Sequence, residues 1–197
     1  EGSGKPLVIA SGTLMVSHRH PATERDAPPS PEAPRAASEA RVLSAAGQGV
    51  RGSVVRLSPT VHGAGDHGFV PRLIDIARQA GFAAFVGDGA SRWPAVHRLD
   101  AARLFRLAAE TARPGTVLHA AAEEGVPMRA IAETIGAGLG VPVRSLTADA
   151  APGSFGFLAR FVATDNPTSS ALTRQWLGWR PQGPDLLSDM RDNGYFS

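Results

Sequence analysis

Val54-Val55-Arg56-Leu57-Ser58-Pro59-Thr60-Val61-His62-Gly63-Ala64-Gly65 is the stretch on which the fold turns. It opens with a short apolar, β-branched run, the pattern of a buried strand. Ser58-Pro59 then ends the strand, because proline has no N–H to give to a ladder. A strand that stops in a Pro/Gly-rich loop is where α/β proteins place their ligands. Upstream, residues 7–10 form a second short apolar strand, which ends in Ser11-Gly12-Thr13. Residues 17–34 are rich in Pro, Arg and Asp and read as a surface loop. Between loop and second strand, residues 34–48 carry Ala37, Ala40, Leu43 and Ala46 at helical spacing, with Gly47 and Gly49 as stop signals. Strand, helix, strand in that order predicts one right-handed parallel crossover.

Downstream, residues 83–86 read as a strand and Gly87-Asp88-Gly89 as a turn. Residues 100–111 read as a helix with Ala101, Leu104, Phe105 and Ala108 on one face and Asp100 as its N-cap. Residues 116–120 are another strand. Residues 126–139 are an amphipathic helix, and 141–146 a strand. Residues 154–197 read as mostly helical. The expected fold class is α/β: a Rossmann-like parallel sheet, the C-terminal half of a dinucleotide-binding domain, with a small α/β lobe covering the substrate. Residues 1–62 and 91–125 are assigned to the Rossmann-like part, and 63–90 and 126–197 to the lobe.

The 197 residues suffice for one sizeable core or one core plus a small lobe. Formal net charge is only +2, Lys5 is the sole lysine, and no Lys/Arg run exists, so nucleic acid is not an expected partner. Cysteine is absent, which excludes disulfides and a thiolate nucleophile. No apolar run approaches the ~20 residues of a membrane span, and no signal peptide is visible. A cytoplasmic protein without membrane partners is expected, with a homodimer as the candidate assembly. His18, His20, His67 and His119 lack His-x-x-x-His spacing, so no metal site is proposed. The chain opens Glu1-Gly2-Ser3-Gly4-Lys5-Pro6 without methionine and enters a strand at once. A missing N-terminal segment of the same protein is therefore expected.

Gly63-Ala64-Gly65-Asp66-His67-Gly68 fits the dinucleotide fingerprint Gly-x-Gly-x-x-Gly, and a helix follows. Five residues, 58–62, separate it from the strand, whereas the fingerprint needs a tight strand-to-helix turn. It is read as an ordinary glycine-rich loop.

Three stretches together resemble the extended short-chain dehydrogenase/reductase family, the NAD-dependent epimerase/dehydratases. Residues 54–63 resemble its strand ending Arg-Pro-x-x-Val-Tyr-Gly, with His62 where tyrosine is usual. Gly87-Asp88-Gly89, followed by Val96-His97-Arg98-Leu99-Asp100-Ala101-Ala102, is similar to its Gly-x-Gly … Val-His-Val-x-Asp-x-Ala. Leu177-Gly178-Trp179-Arg180-Pro181 is similar to its Leu-Gly-Trp-x-Pro. The resemblance implies NAD or NADP as cofactor and a small carbonyl or hydroxyl compound as substrate. The nicotinamide would lie near Ser11, Gly12, Ser58, Pro59, Thr60 and Val61. Thr13 falls where the family's catalytic Ser/Thr sits. Arg92 and Trp93 are the substrate-side candidates, although sugar-nucleotide members carry arginine at the position of Trp93.

The family's Tyr-x-x-x-Lys dyad is missing. The equivalent helix offers Arg35-Ala36-Ala37-Ser38-Glu39, in which Arg35 and Glu39 stand at i,i+4 pairing distance. Tyr195 is the only tyrosine. His62 is then the candidate acid/base, with an ordinary pKa of ~6.5; a loop histidine bonded to backbone is the equal alternative. His97 is expected to brace the strand-to-helix join. Two functions stay open: an enzyme that lacks the usual dyad, and a non-catalytic nucleotide-binding sensor on the same scaffold.

Overall fold

The computed structural model describes residues 4–16, 20–33 and 35–197. Strands β1 (Pro6–Gly12), β2 (Arg51–Leu57) and β6 (Thr116–Ala120) form a parallel sheet in the order β1-β2-β6. Ile9 stands opposite Val54, and Val54 opposite Val117. This is the expected parallel arrangement. Helix α1 (Ala36–Ser44), extended by a 3-10 turn over Ala45–Gln48, makes the crossover. It packs close on β2 because Gly52 allows it: a Cβ there would lie 2.8 Å from the Val42 carbonyl oxygen. Against the sheet lies α3 (Arg98–Thr111), whose Ala101, Leu104 and Ala108 share a core with Val55, Leu118 and Trp179.

A second sheet was not foreseen. It joins β3 (Thr60–His62), β5 (Arg92–His97) and β7 (Glu123–Pro127) in the order β3-β5-β7, with β5 and β7 antiparallel. Pro94 inside β5 had hidden the strand signal. The ladder accommodates it with an irregularity between Trp93 and Ala95. The strands read at 83–86 and 141–146 are β4 (Ala83–Val86) and β8 (Val143–Leu146), paired parallel. Helices α2 (Phe69–Ala80) and α4 (Met128–Leu139) cover these strands. With the short helices α5 (Ala151–Phe155), α6 (Ala159–Val162) and α8 (Leu186–Asp192) they bury a second core around Ile74, Trp93, Ile131, Leu158 and Leu186. The remaining helix, α7 (Ala171–Leu177), lies against α3 and β6. Among the described residues no helix is long and apolar enough to cross a membrane.

The expected N-cap at Asp100 is corrected. Helix α3 starts at Arg98, and the His97 Nδ1 accepts from the Leu99 N–H at 3.4 Å. Asp100 is instead buried in the first turn, where it accepts from the Gln182 and Gly183 N–H groups at 2.8 and 2.7 Å and pairs with Arg103. It thereby ties the C-terminal segment to α3. Burial pushes the Asp100 carboxyl pKa up, but the two N–H donors and Arg103 hold it, on balance, below the usual value. A folded pKa below the unfolded one stabilises the protein above about pH 3.9, and that gain disappears as pH falls through the lower folded value. Asp100→Asn cannot accept from both N–H groups as strongly. It is expected to lose about 1–3 kcal/mol at pH 7 and less at pH 2. Urea unfolding at the two pH values checks this; equal losses at both would contradict it.

Candidate functional site

An open cleft of about 670 Å³ lies where β1 and β2 end. Ser11 and Gly12 form one side, Leu57 closes the end of β2, Phe69 and Phe161 supply an apolar wall, and Arg35 and Arg160 stand at it as well. The Ser11 side chain is the unusual group. Ser11 is only 6% exposed, and its hydroxyl has no hydrogen-bond partner. Gly12 leaves its backbone open: a Cβ there would meet only the Leu57 carbonyl, at 3.9 Å.

Of the residues singled out in the sequence, Ser11 and Gly12 line this cleft. Thr13 does not. It is wholly buried, with its hydroxyl donating to Asn166 Oδ1 at 2.9 Å and its carbonyl accepting from Asn166 Nδ2 at 3.1 Å. Ser58 donates to the Ala120 carbonyl at 2.7 Å, and Thr60 to the Pro94 carbonyl at 2.6 Å. Both hydroxyls are thus spent on holding strands together. Val61 sits in β3 and packs against the core under α3. Neither it nor Pro59 is in the cleft lining.

His62 is 1% exposed and likewise outside the lining. Its Nδ1 lies 2.7 Å from Asp189 Oδ2, and the other Asp189 oxygen accepts from Asn193 Nδ2 at 2.6 Å. The His97 ring stands edge-on at 5.5 Å. Arg92 grips Asp165 through Nε and Nη2, at 3.0 and 2.7 Å. Trp93 is buried and donates from Nε1 to the Phe161 carbonyl at 3.0 Å. The latter two brace the segment that carries Phe161 from behind.

The helix that resembles the dyad helix has a different economy. Arg35 and Glu39 do not pair. Glu39 accepts a forked contact from Arg56, Nη2 to Oε2 at 2.7 Å and Nε to Oε1 at 3.0 Å, and both side chains are buried. Arg56 Nη1 also donates to the Asp26 carbonyl at 2.7 Å and lies 3.4 Å from His119 Nε2. Burial pulls the His119 pKa down, against the raising influence of Glu24 and the Ser169 carbonyl. Arg56 stands between Val55 and Leu57 at the apolar end of β2, and a charge set in such a run is the signal for a buried partner. Arg35 is left to the cleft, with Nη1 3.3 Å from the Ala10 carbonyl oxygen.

The Gly63–Gly68 loop is filled from within. The Gly68 N–H donates to Asp66 Oδ1 at 2.6 Å, and the Gly63 N–H to the Tyr195 hydroxyl at 2.9 Å. That hydroxyl donates in turn to Asp66 Oδ2 at 3.0 Å. Burial pushes the tyrosine pKa up, as does the nearby Asp66 carboxylate. A carboxylate already occupies the end of α2 where a pyrophosphate would bind. This agrees with the reading of an ordinary loop.

No protein-family model matches the chain. An uncharacterized protein of Schizosaccharomyces pombe is 48% identical over 196 residues, covering 99% of this chain and 66% of that protein. An uncharacterized protein of Saccharomyces cerevisiae is 45% identical over 194 residues, covering 98% and 65%. The chain thus spans just under two thirds of the length of these curated relatives. Solved structures share its fold at low identity. A double mutant of the dTDP-glucose 4,6-dehydratase from Streptomyces venezuelae, with NAD and DAU bound, superposes with a TM-score of 0.72 at 20% identity, over 96% of this chain and 61% of that one. MoeE5 in complex with UDP-glucose and NAD gives 0.72 at 19%, over 95% and 62%. The UDP-N-acetylglucosamine 4-epimerase of Methanobrevibacter ruminantium gives 0.71 at 18%, over 95% and 61%.

Proposed function

We propose that this chain carries the substrate side of an NAD(P)-dependent oxidoreductase or epimerase/dehydratase that acts on a small carbonyl or hydroxyl compound. The observation behind it is the buried, unpartnered hydroxyl of Ser11, a residue that stands at the carboxyl end of a parallel strand and lines an open cleft. An unsatisfied buried hydroxyl costs about 1–3 kcal/mol, which a ligand oxygen placed there restores. The NAD bound in two of the similar structures supports the same cofactor here. The open backbone at Gly12 fits a flat ring laid against it. NAD or NADP would supply the hydride donor or acceptor. Ser11 binds and orients the reacting oxygen, and the apolar wall of Phe69, Phe161 and Leu57 keeps water away. Thr13, clamped by Asn166, holds the turn that presents Ser11 and Gly12. In this reading residues 1–62 and 91–125 belong to the dinucleotide-binding part, and 63–90 and 126–197 cover the substrate. Further strands would add at the outer edge of β1, where Leu7 is exposed.

One observation favours the non-catalytic alternative. The helix that would carry the acid/base dyad invests Glu39 in a buried ion pair with Arg56, and it contains neither tyrosine nor lysine. A nucleotide-responsive sensor needs the scaffold but not the dyad.

The phosphate-binding glycine turn is not in residues 1–197, so these residues alone are expected to bind dinucleotide poorly. A protein of the relatives' full length is expected to gain stability from NAD or NADP, about 2.7 kcal/mol at a ligand concentration of 100 Kd. Thermal unfolding with each dinucleotide reads this out. Micromolar affinity of residues 1–197 alone in calorimetry, or no shift in the longer protein, contradicts the reading. Turnover of a panel of aldehydes and ketones then separates enzyme from sensor.

A further inference from the structure

The cleft has a chemistry that the resemblance does not specify. Two guanidinium groups, Arg35 and Arg160, belong to its lining, and among the described residues no aspartate or glutamate does. Neither arginine has a carboxylate partner among the described residues. Arg35 donates one N–H to the Ala10 carbonyl, and its other donors are uncommitted. It is also the only non-glycine residue with positive φ among those described, at φ 68°. The left-handed region costs such a residue about 1–2 kcal/mol. Arg160 lies over the Phe161 ring, 4.5 Å from its centroid, and Phe161 stacks with Phe69 at 5.4 Å. The cleft therefore combines unneutralised positive charge, a stacked aromatic wall and one unpartnered buried hydroxyl, Ser11.

We infer that the cleft selects a ligand with an oxyanion group, a carboxylate or a phosphoryl, carried on an apolar body. The oxyanion sits between Arg35 and Arg160, whose planar forks suit two oxygens at once. The apolar body lies along Phe69 and Phe161. A carbonyl or hydroxyl of the same ligand reaches Ser11. This inference rests on the cleft being the substrate site. A cleft of about 670 Å³ falls within the usual range for small-molecule pockets. Among the described residues, none in the lining provides a carboxylate to pair with a cationic ligand or to accept from the hydroxyls of a neutral sugar-like one.

The test uses residues 1–197 without dinucleotide, so its result is independent of cofactor binding. Phenylpyruvate, phenyl phosphate, neutral phenylacetone and inorganic phosphate are titrated by calorimetry. At least one aromatic anion is expected to bind about tenfold or more tightly than phenylacetone, with the preference shrinking as salt is raised. Arg35→Met and Arg160→Met are each expected to weaken the anion about tenfold and to leave phenylacetone unchanged. Both arginines are exposed, so the variants should fold, which circular dichroism verifies. Ser11→Ala should weaken phenylpyruvate and phenylacetone alike. Whichever anion binds more tightly identifies the group, and either order supports the site. Several outcomes overturn it: no binding of either anion, phenylacetone binding as tightly, arginine variants that bind like the parent, or inorganic phosphate binding as tightly as phenyl phosphate. If the anion binds but the longer protein shows no dinucleotide effect, the cofactor reading fails and this inference stands.

Discussion

Glu39→Ala is expected to cost about 3–5 kcal/mol of folding stability, because it leaves the Arg56 guanidinium charged and buried without its carboxylate. The pair is well made for its environment. One forked contact of two hydrogen bonds joins Arg56 to Glu39, and a further N–H goes to the Asp26 carbonyl, so the desolvated charges are largely satisfied. His119, beside the guanidinium, offers no negative charge to take over. Removing one partner therefore exposes the full burial penalty of the other. Arg56→Met should be similarly costly. The double variant Glu39→Leu/Arg56→Met should recover most of the loss, since apolar replacement of a whole buried pair is often neutral. Urea unfolding of the four proteins completes the cycle. A loss below about 1 kcal/mol in Glu39→Ala would mean that water reaches the pair. The pair also matters to the cleft. Glu39 fixes α1 on β2 one helical turn after Arg35, so the same contact sets where the Arg35 guanidinium stands. Loss of the pair is expected to disturb anion binding as well as stability.

The parallel sheet was legible because its strands obey simple rules. Residues 7–10, 52–57 and 116–120 are short apolar runs bounded by turn residues, and the structure extends them by no more than two residues at either end. Strand β4 has the bounds that its pattern gives, 83–86. The second sheet was illegible for local reasons. β3 has three residues, too few for a period to show. β5 contains Pro94 and Trp93, and β7 reads Glu-Glu-Gly-Val-Pro. Their strand state comes from pairing with each other, not from their own propensities. The cleft divides in the same way. Ser11 and Gly12 could be placed beside a cleft from sequence because they end a parallel strand, where α/β folds open clefts. Thr13 is diverted by Asn166, 153 residues away, and no local pattern reports such a partner. Arg160 faces the cleft from a four-residue helix that carries no periodic signal.

His62→Ala is expected to destabilise the protein by about 3 kcal/mol, and His62→Gln by clearly less. The histidine joins β3 to α8, its partner Asp189 lying 127 residues further on. Both side chains are about 1% exposed. Truncation leaves the Asp189 carboxylate in the interior with only the Asn193 amide of these two side-chain contacts, and opens a hole between β3 and α8. Glutamine keeps an N–H that can reach the carboxylate, so it should restore much of the loss. A general base behaves in the opposite way. Glutamine cannot exchange a proton near neutral pH, so its loss of turnover would match that of alanine, at about 10²–10⁴-fold, with stability less affected. The two substitutions therefore separate a structural histidine from a catalytic one. The burial of His62 and its absence from the cleft lining favour stability as the quantity that moves. Unfolding free energies of both variants, set beside turnover per folded molecule, give the comparison. Parent-like stability in His62→Ala, with turnover lost in both variants, would return His62 to the chemistry and require a path from the cleft to its ring.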